Sequence, residues 1–194
     1  MAEHNQNCDR PAHRYESIKP ATRWSFSVLF VVGTMFLMKP LLVNRLISRA
    51  EAYSNYGMYN NAIRQCRKVL FIDRANNRAW NIMAGSYKKQ FDIDQAVNTF
   101  LTAINIDSGN RLAYFQLGTI FAVDRKYKRA VPYFVQVVDL GPETPAELAS
   151  DPFDYYKSAL DMLAACYDRL GDKEKAMGVR KQLKNEYPGD SSRL

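Results

Sequence analysis

A step of 34 residues runs through the middle of this chain. The alanine of "NNAIRQCRKVL", Ala62, recurs as Ala96 in "DQAVNTFLTAI" and as Ala130 in "KRAVPYFVQVV", with 96 − 62 = 34 and 130 − 96 = 34. Tyr53, Tyr87 and Phe121 keep the same step, as do Cys66, Phe100 and Phe134, and Val69, Ala103 and Val137. Tyr56-Gly57, Gln90-Phe91 and Asp124-Arg125 fall between the two amphipathic runs of each copy. A fourth copy follows after an insertion: Ala176 lies 46 residues beyond Ala130, and 46 − 34 = 12. A repeat of this period means that each unit cannot bury its apolar face alone and must stack on its neighbours. Two helices of about 12–14 residues are too short to be stable by themselves. Within a unit, the small residue lets them approach closely and the aromatic fills the space beyond it.

On these residues the chain resembles the tetratricopeptide repeat, over residues 43–190. Trp80 and Tyr114 stand at the family's first large position. Leu117-Gly118 matches its Leu-Gly pair fully, and Met83-Ala84 and Leu163-Ala164 match in part. Pro142 and Pro188 end two copies, whereas Arg74 and Ser108 occupy that place in the first two. The resemblance implies an all-α fold: a right-handed α-solenoid of four helix pairs. The repeats are expected at about 43–76, 77–110, 111–144 and 157–190, with an insert at 145–156. In the last helix Arg180 stands where earlier copies have Cys66, Phe100 and Phe134. A charge there, among Lys173, Glu174, Lys175, Lys181 and Lys184, suits the polar cap that ends such an array.

Chemistry-bearing residues are sparse. Both histidines, His4 and His13, precede the repeats, so none serves as a base or zinc ligand within them. The three cysteines, Cys8, Cys66 and Cys166, have neither metal spacing nor a CxxC arrangement. No phosphate-loop, dinucleotide or nucleophile-elbow motif occurs. The expectation is a non-catalytic protein without cofactor or metal. Net charge is +7, but Lys and Arg are interleaved with Asp and Glu, which points away from a nucleic-acid partner.

The resemblance implies that protein partners, as a peptide or helix segment, lie on the concave surface lined by the first helix of each repeat. That face maps to Asn44, Ile47, Glu51, Ser54 and Asn55, then Arg78, Asn81, Gly85, Lys88 and Lys89. It continues with Leu112, Phe115, Thr119, Ala122 and Val123, and ends with Ser158, Asp161, Ala165, Asp168 and Arg169. The carboxylate clamp of the chaperone-tail-binding branch is missing. Its nearest matches are Asn81 and Gln116. The third repeat offers an apolar strip, Leu112 and Phe115, beside a basic patch of Arg78, Lys88 and Lys89. Such a strip suits an apolar or apolar-acidic segment, unless the insert covers it. In the insert, Thr144-Pro145-Ala146-Glu147 reads as a capping box with a first-turn proline, and Pro152 ends that turn. Phe153, Tyr155 and Tyr156 follow as a contact loop or as local packing.

Ahead of the repeats, Trp24 to Met38 is 15 residues without a charge, about 22 Å as a helix. Extending it to Val43 reaches the length of a span and includes Lys39, which can snorkel, and Pro40. The 23-residue lead and the absence of a small-x-small site disfavour a cleaved signal peptide. A buried soluble helix would need cover on all sides. The organisation expected is a disordered tail at 1–22, one signal-anchor transmembrane helix at 23–43, the repeat domain at 44–190 and a short tail at 191–194. Pro40 either kinks one long helix or begins a new one. Arg10, Arg14, Lys19 and Arg23 before the span, against Lys39, Arg45 and Arg49, favour a cytoplasmic N-terminus and periplasmic repeats at the inner membrane.

The expectation is a membrane-anchored scaffold whose groove assembles or holds a membrane-associated or exported protein complex. The alternative is a permanent, non-catalytic structural subunit of one large membrane complex of the secretion, pilus, polysaccharide-export or electron-transfer type.

Overall fold

The structure, a computed structural model, describes residues 20–188, with side chains from residue 38 onward, Ser150 aside. Nine α-helices and no strand occur among the described residues. They are α1 (Pro20–Asn55), α2 (Tyr59–Ile72), α3 (Asn77–Lys89), α4 (Ile93–Ile106), α5 (Arg111–Val123), α6 (Tyr127–Asp139), α7 (Pro145–Ser150), α8 (Tyr155–Leu170) and α9 (Lys173–Glu186). The period survives into the helix starts, at 59, 93 and 127 and at 77 and 111.

Residues up to Leu41 and residues from Leu42 on form separate compact units. The first unit carries the early part of α1, which begins at Pro20, within the stretch expected as tail. Of the expected span at 23–43, residues 23–41 fall here, whereas Leu42 and Val43 belong to the second unit, where Val43 is buried in its core; side chains before Met38 lie outside the described residues, as do both chain ends. Among the described residues no helix is long and apolar enough to cross a membrane. The helix runs through Pro40 without interruption, so that proline does not begin a new one.

The second unit is an all-helical solenoid. Successive helices pack on one another from α2 to α6. Then α6 meets α8, which packs on α9, and α7 is bypassed. Short polar residues start the helices at fixed register. Asn76 and Asn110, 34 apart, accept from the backbone N–H of Ala79 and Ala113. Asp92, Asp154 and Asp172 do the same for α4, α8 and α9, leaving fewer bare N–H groups. The turns inside the four pairs share one backbone device. Gly57, Phe91, Arg125 and Gly171 all have positive φ, between 56° and 80°.

The core follows the columns read from the sequence. Ala50, Ala84, Gly118 and Ala164 are buried, as are Cys66, Phe100 and Phe134. The closest approach is in the third pair, where a Cβ on Gly118 would lie 2.7 Å from the ring of Phe134. The last pair departs from the pattern because Arg180 turns to Asp168 and forms an ion pair instead of entering a core.

The insert folds as its composition requires. Thr144 and Glu147 form a reciprocal capping box at the start of α7. Arg111 anchors the segment, donating to the carbonyls of Gly141 and Leu140 and approaching Glu147 at 3.8 Å.

Phe134 is fully buried and would meet the added methyl group at 2.7 Å, so Gly118→Ala is expected to destabilise the fold by about 1–3 kcal/mol. Thermal unfolding should register a lower midpoint, by about 2–4 °C per kcal/mol. In a Phe134→Leu background the same change should cost much less. Equal costs in both backgrounds would contradict the close contact as its cause.

Candidate functional site

Because α1, α3 and α5 repeat at one register, their inner faces line a common groove. A cavity of about 620 Å³ is bounded by Glu51, Ser54 and Asn55 of α1, by Arg78, Asn81, Ile82, Gly85 and Lys89 of α3, by Leu112 of α5 and by Asp151. Eight of these ten positions were expected there from the sequence. Ile82 and Asp151 were not. Asp151 carries no sequence signal for this place, since it reaches the groove only because the insert folds back.

Hydrogen bonds fix much of the floor. Arg78 donates to both carboxylate oxygens of Glu51, at 2.6 and 2.9 Å, joining α3 to α1. Its charge is therefore compensated, and within the groove the expected basic patch reduces to Lys89. Asn81 and Asn110 exchange two amide hydrogen bonds of 3.2 and 3.1 Å between α3 and the start of α5. Lys88 is half-buried and donates to Oε1 of Gln116 at 2.5 Å, while burial and neighbouring Lys89 push its pKa down. Lys89 stays exposed at the groove.

Other expected residues lie elsewhere. Ile47 is buried in a core cluster with Val43, Ala50 and Cys66, so it does not face the groove. The apolar strip is not open at Phe115. That ring packs against Phe134, Phe153 and Tyr155 at centroid distances of 5.8, 5.5 and 5.7 Å. The insert thus closes over the inner face of the third repeat, and Tyr155 is held there by a 2.8 Å hydrogen bond to Asp151. Tyr156 is not a loop contact. It is buried, donates through its hydroxyl to Glu186 at 3.1 Å and through its N–H to Glu143 at 3.0 Å, and so belongs to the core of the last pair. Phe153 remains partly exposed. Asp161 is exposed on α8 and is not part of the groove lining. Partial burial raises its pKa.

Thr119 and Lys88 face a second, larger cavity of about 1010 Å³ at the turns of the second and third pairs. Its apolar wall includes Phe91, Ile93, Val97 and Val123. Phe91 is 88% exposed and sits at φ 62°, the position held by glycine in the first and last pairs. A bulky L-residue in that conformation is strained. The bare sequence signal was a phenylalanine in register with Gly57.

Neither described cysteine offers a reactive thiol. Both are buried, and burial pushes Cys66 up to about 12 and raises Cys166. Among the described residues no group of three His, Cys, Asp or Glu is placed to hold a metal.

Comparison with known proteins identifies tetratricopeptide repeats at residues 78–110 and at residues 158–190. A tetratricopeptide repeat protein 21 homolog of Caenorhabditis briggsae is 22% identical over 152 residues, 76% of this chain. The match spans only 11% of that protein's own length. The crystal structure of MamA superposes with a TM-score of 0.62 at 17% identity, covering 77% of this chain and 80% of that one. The Yersinia enterocolitica type III secretion translocator chaperone SycD gives a TM-score of 0.58 at 15% identity, over 66% of this chain and 86% of that one. The first tetratricopeptide domain of human RPAP3 gives 0.54 at 20% identity, over 70% and 98%. At these identities the structural likenesses establish the fold alone.

The cost of a left-handed conformation is about 1 kcal/mol for an L-residue. Phe91→Gly removes it and loses little packing, so the thermal midpoint should rise by about 2–4 °C. A midpoint that falls would mean the exposed ring makes a stabilising contact.

Proposed function

We propose that this chain is a membrane-tethered, non-catalytic scaffold that holds a segment of a partner protein in the groove between α1, α3 and α5. The observation that carries the reading is the preorganised groove. The Arg78–Glu51 and Asn81–Asn110 pairs fix its floor, while Lys89, whose Nζ lies 5.8 Å from the centroid of the Tyr59 ring, and Leu112, half-buried against the core, also line it. A peptide that offers an apolar side chain to Leu112 and Ile82 and a carboxylate to Lys89 fits these groups. A fixed floor lowers the ordering cost of binding. The repeat family and the fold shared with MamA and a translocator chaperone support an interaction role.

The tether is the helix expected at 23–43, with the N-terminus in the cytoplasm and the repeats in the periplasm at the inner membrane. Its support is the uncharged run from Trp24 to Met38 and the Lys/Arg bias around it. The partner is then a membrane-associated or exported complex, assembled through this protein or built around it.

Leu112→Asp combined with Lys89→Glu is expected to remove partners that co-purify from native membranes in mild detergent, with unchanged helical circular dichroism. Phe115 is left alone because its ring packs on Phe134. Retention of every partner by the double variant contradicts the groove reading. Among retained wild-type partners, constant stoichiometry marks a permanent subunit and variable stoichiometry an assembly factor. A C-terminal alkaline phosphatase fusion should be active, and an inactive fusion reverses the orientation.

A further inference from the structure

The outer surface of the first pair has a chemistry that the groove reading leaves unused. Helix α2, "YNNAIRQCRKVLFI", contains three cations and no carboxylate. Arg64, Lys68 and Phe71 lie on one helical face and are all exposed, and Phe71 is exposed to 94%. A cavity of about 520 Å³ links this face to Leu42 and Leu46 at the start of the folded unit, and no acid lines it. Arg74, also exposed, extends the charge beyond the helix end. The nearest acid in sequence, Asp73, accepts a 3.0 Å hydrogen bond from Asn76. Arg67 donates to the Tyr87 hydroxyl at 3.0 Å. Among the described residues no carboxylate forms an ion pair with Arg64, Lys68 or Arg74.

An exposed phenyl ringed by unpaired cations is costly in water and matches a surface that is anionic outside and apolar beneath. We propose that Arg64, Lys68, Phe71 and Arg74, with Leu42, form a docking face for an anionic phospholipid bilayer. The cations meet lipid phosphates, and Phe71 enters the boundary between headgroups and acyl chains. Chain connectivity favours a bilayer over an acidic protein. Leu42 belongs to this face and follows the uncharged run that ends at Met38 by four residues, so the patch begins where the chain would leave the membrane. The inference deepens the tethered-scaffold reading and rests on its membrane anchor. Docking would hold the first repeat against the bilayer and fix the direction in which the groove opens.

The test uses the full chain with Phe71→Cys and Cys8→Ser, labelled at position 71 with an environment-sensitive nitrobenzoxadiazole. Cys66 and Cys166 are buried and remain unlabelled. The protein is placed in nanodiscs of phosphatidylcholine alone or mixed with phosphatidylglycerol. Blue-shifted emission, quenched by nitroxide-labelled lipid, is expected only in the anionic discs. It should weaken with salt, and Lys68→Gln should lower the ratio of docked to undocked protein about fivefold. Equal, unquenched emission in both discs overturns the proposal. So does a blue shift without lipid quenching, which would mean that a second copy or another polypeptide covers the face.

Alkaline carbonate extraction tests the anchor separately. If it releases the protein, the anchor reading fails, and the labelled chain is added instead to preformed vesicles. Quenching that still depends on phosphatidylglycerol then upholds the docking face alone, and its absence overturns that too.

Discussion

Everything in the repeat unit depends on how closely the two helices of a pair approach one another. The small side chains Ala50, Ala84, Gly118 and Ala164 set that distance, and Cys66, Phe100 and Phe134 fill the space it leaves. At Gly118 the allowance is used up, because a single methyl group would overlap the Phe134 ring. A tight pair lets the next pair stack in the same orientation. The first helices then line up along one face, and that alignment creates the groove. The rule lapses in the last pair. Arg180 cannot fill an apolar hole and pairs with Asp168 at the surface instead.

The groove is partly engaged in its own structure. Arg78 and Asn81 look like ligands in the sequence, yet both are held by partners on neighbouring helices. Exposed ion pairs of this kind contribute little to stability, about 0.2–1 kcal/mol. Their larger effect is to fix side-chain positions before anything binds. The insert limits the groove from the other side. Its rings cover Phe115, and Asp151 reaches the rim, so the apolar surface left for a partner centres on Leu112 and Ile82.

Much of the fold was legible because the information was local and repeated. Three copies at one step identify the helix pairs and the small-residue column, each through short-range chemistry. The capping box at Thr144 and Glu147 was legible for the same reason. The site was legible only as a list of positions on helix faces. Face assignment follows from register, but engagement does not. Nothing in the sequence says that Arg78 meets Glu51, 27 residues away, or that Tyr156 turns inward to Glu186. Ile47 failed for a related reason. At the edge of a helix face, a small rotation decides between groove and core.

By itself, the sequence determined that short paired helices must stack, where the turns fall, and that the chain lacks the usual catalytic parts. Period, capping and composition act through neighbours close in the chain, so they can be read along it. Only the tertiary structure decided which charges are compensated, that the insert folds onto the third repeat, and that Phe71 and its cations form one uncovered face. Those outcomes depend on distances between residues far apart in sequence, and these are set by how closely each pair packs.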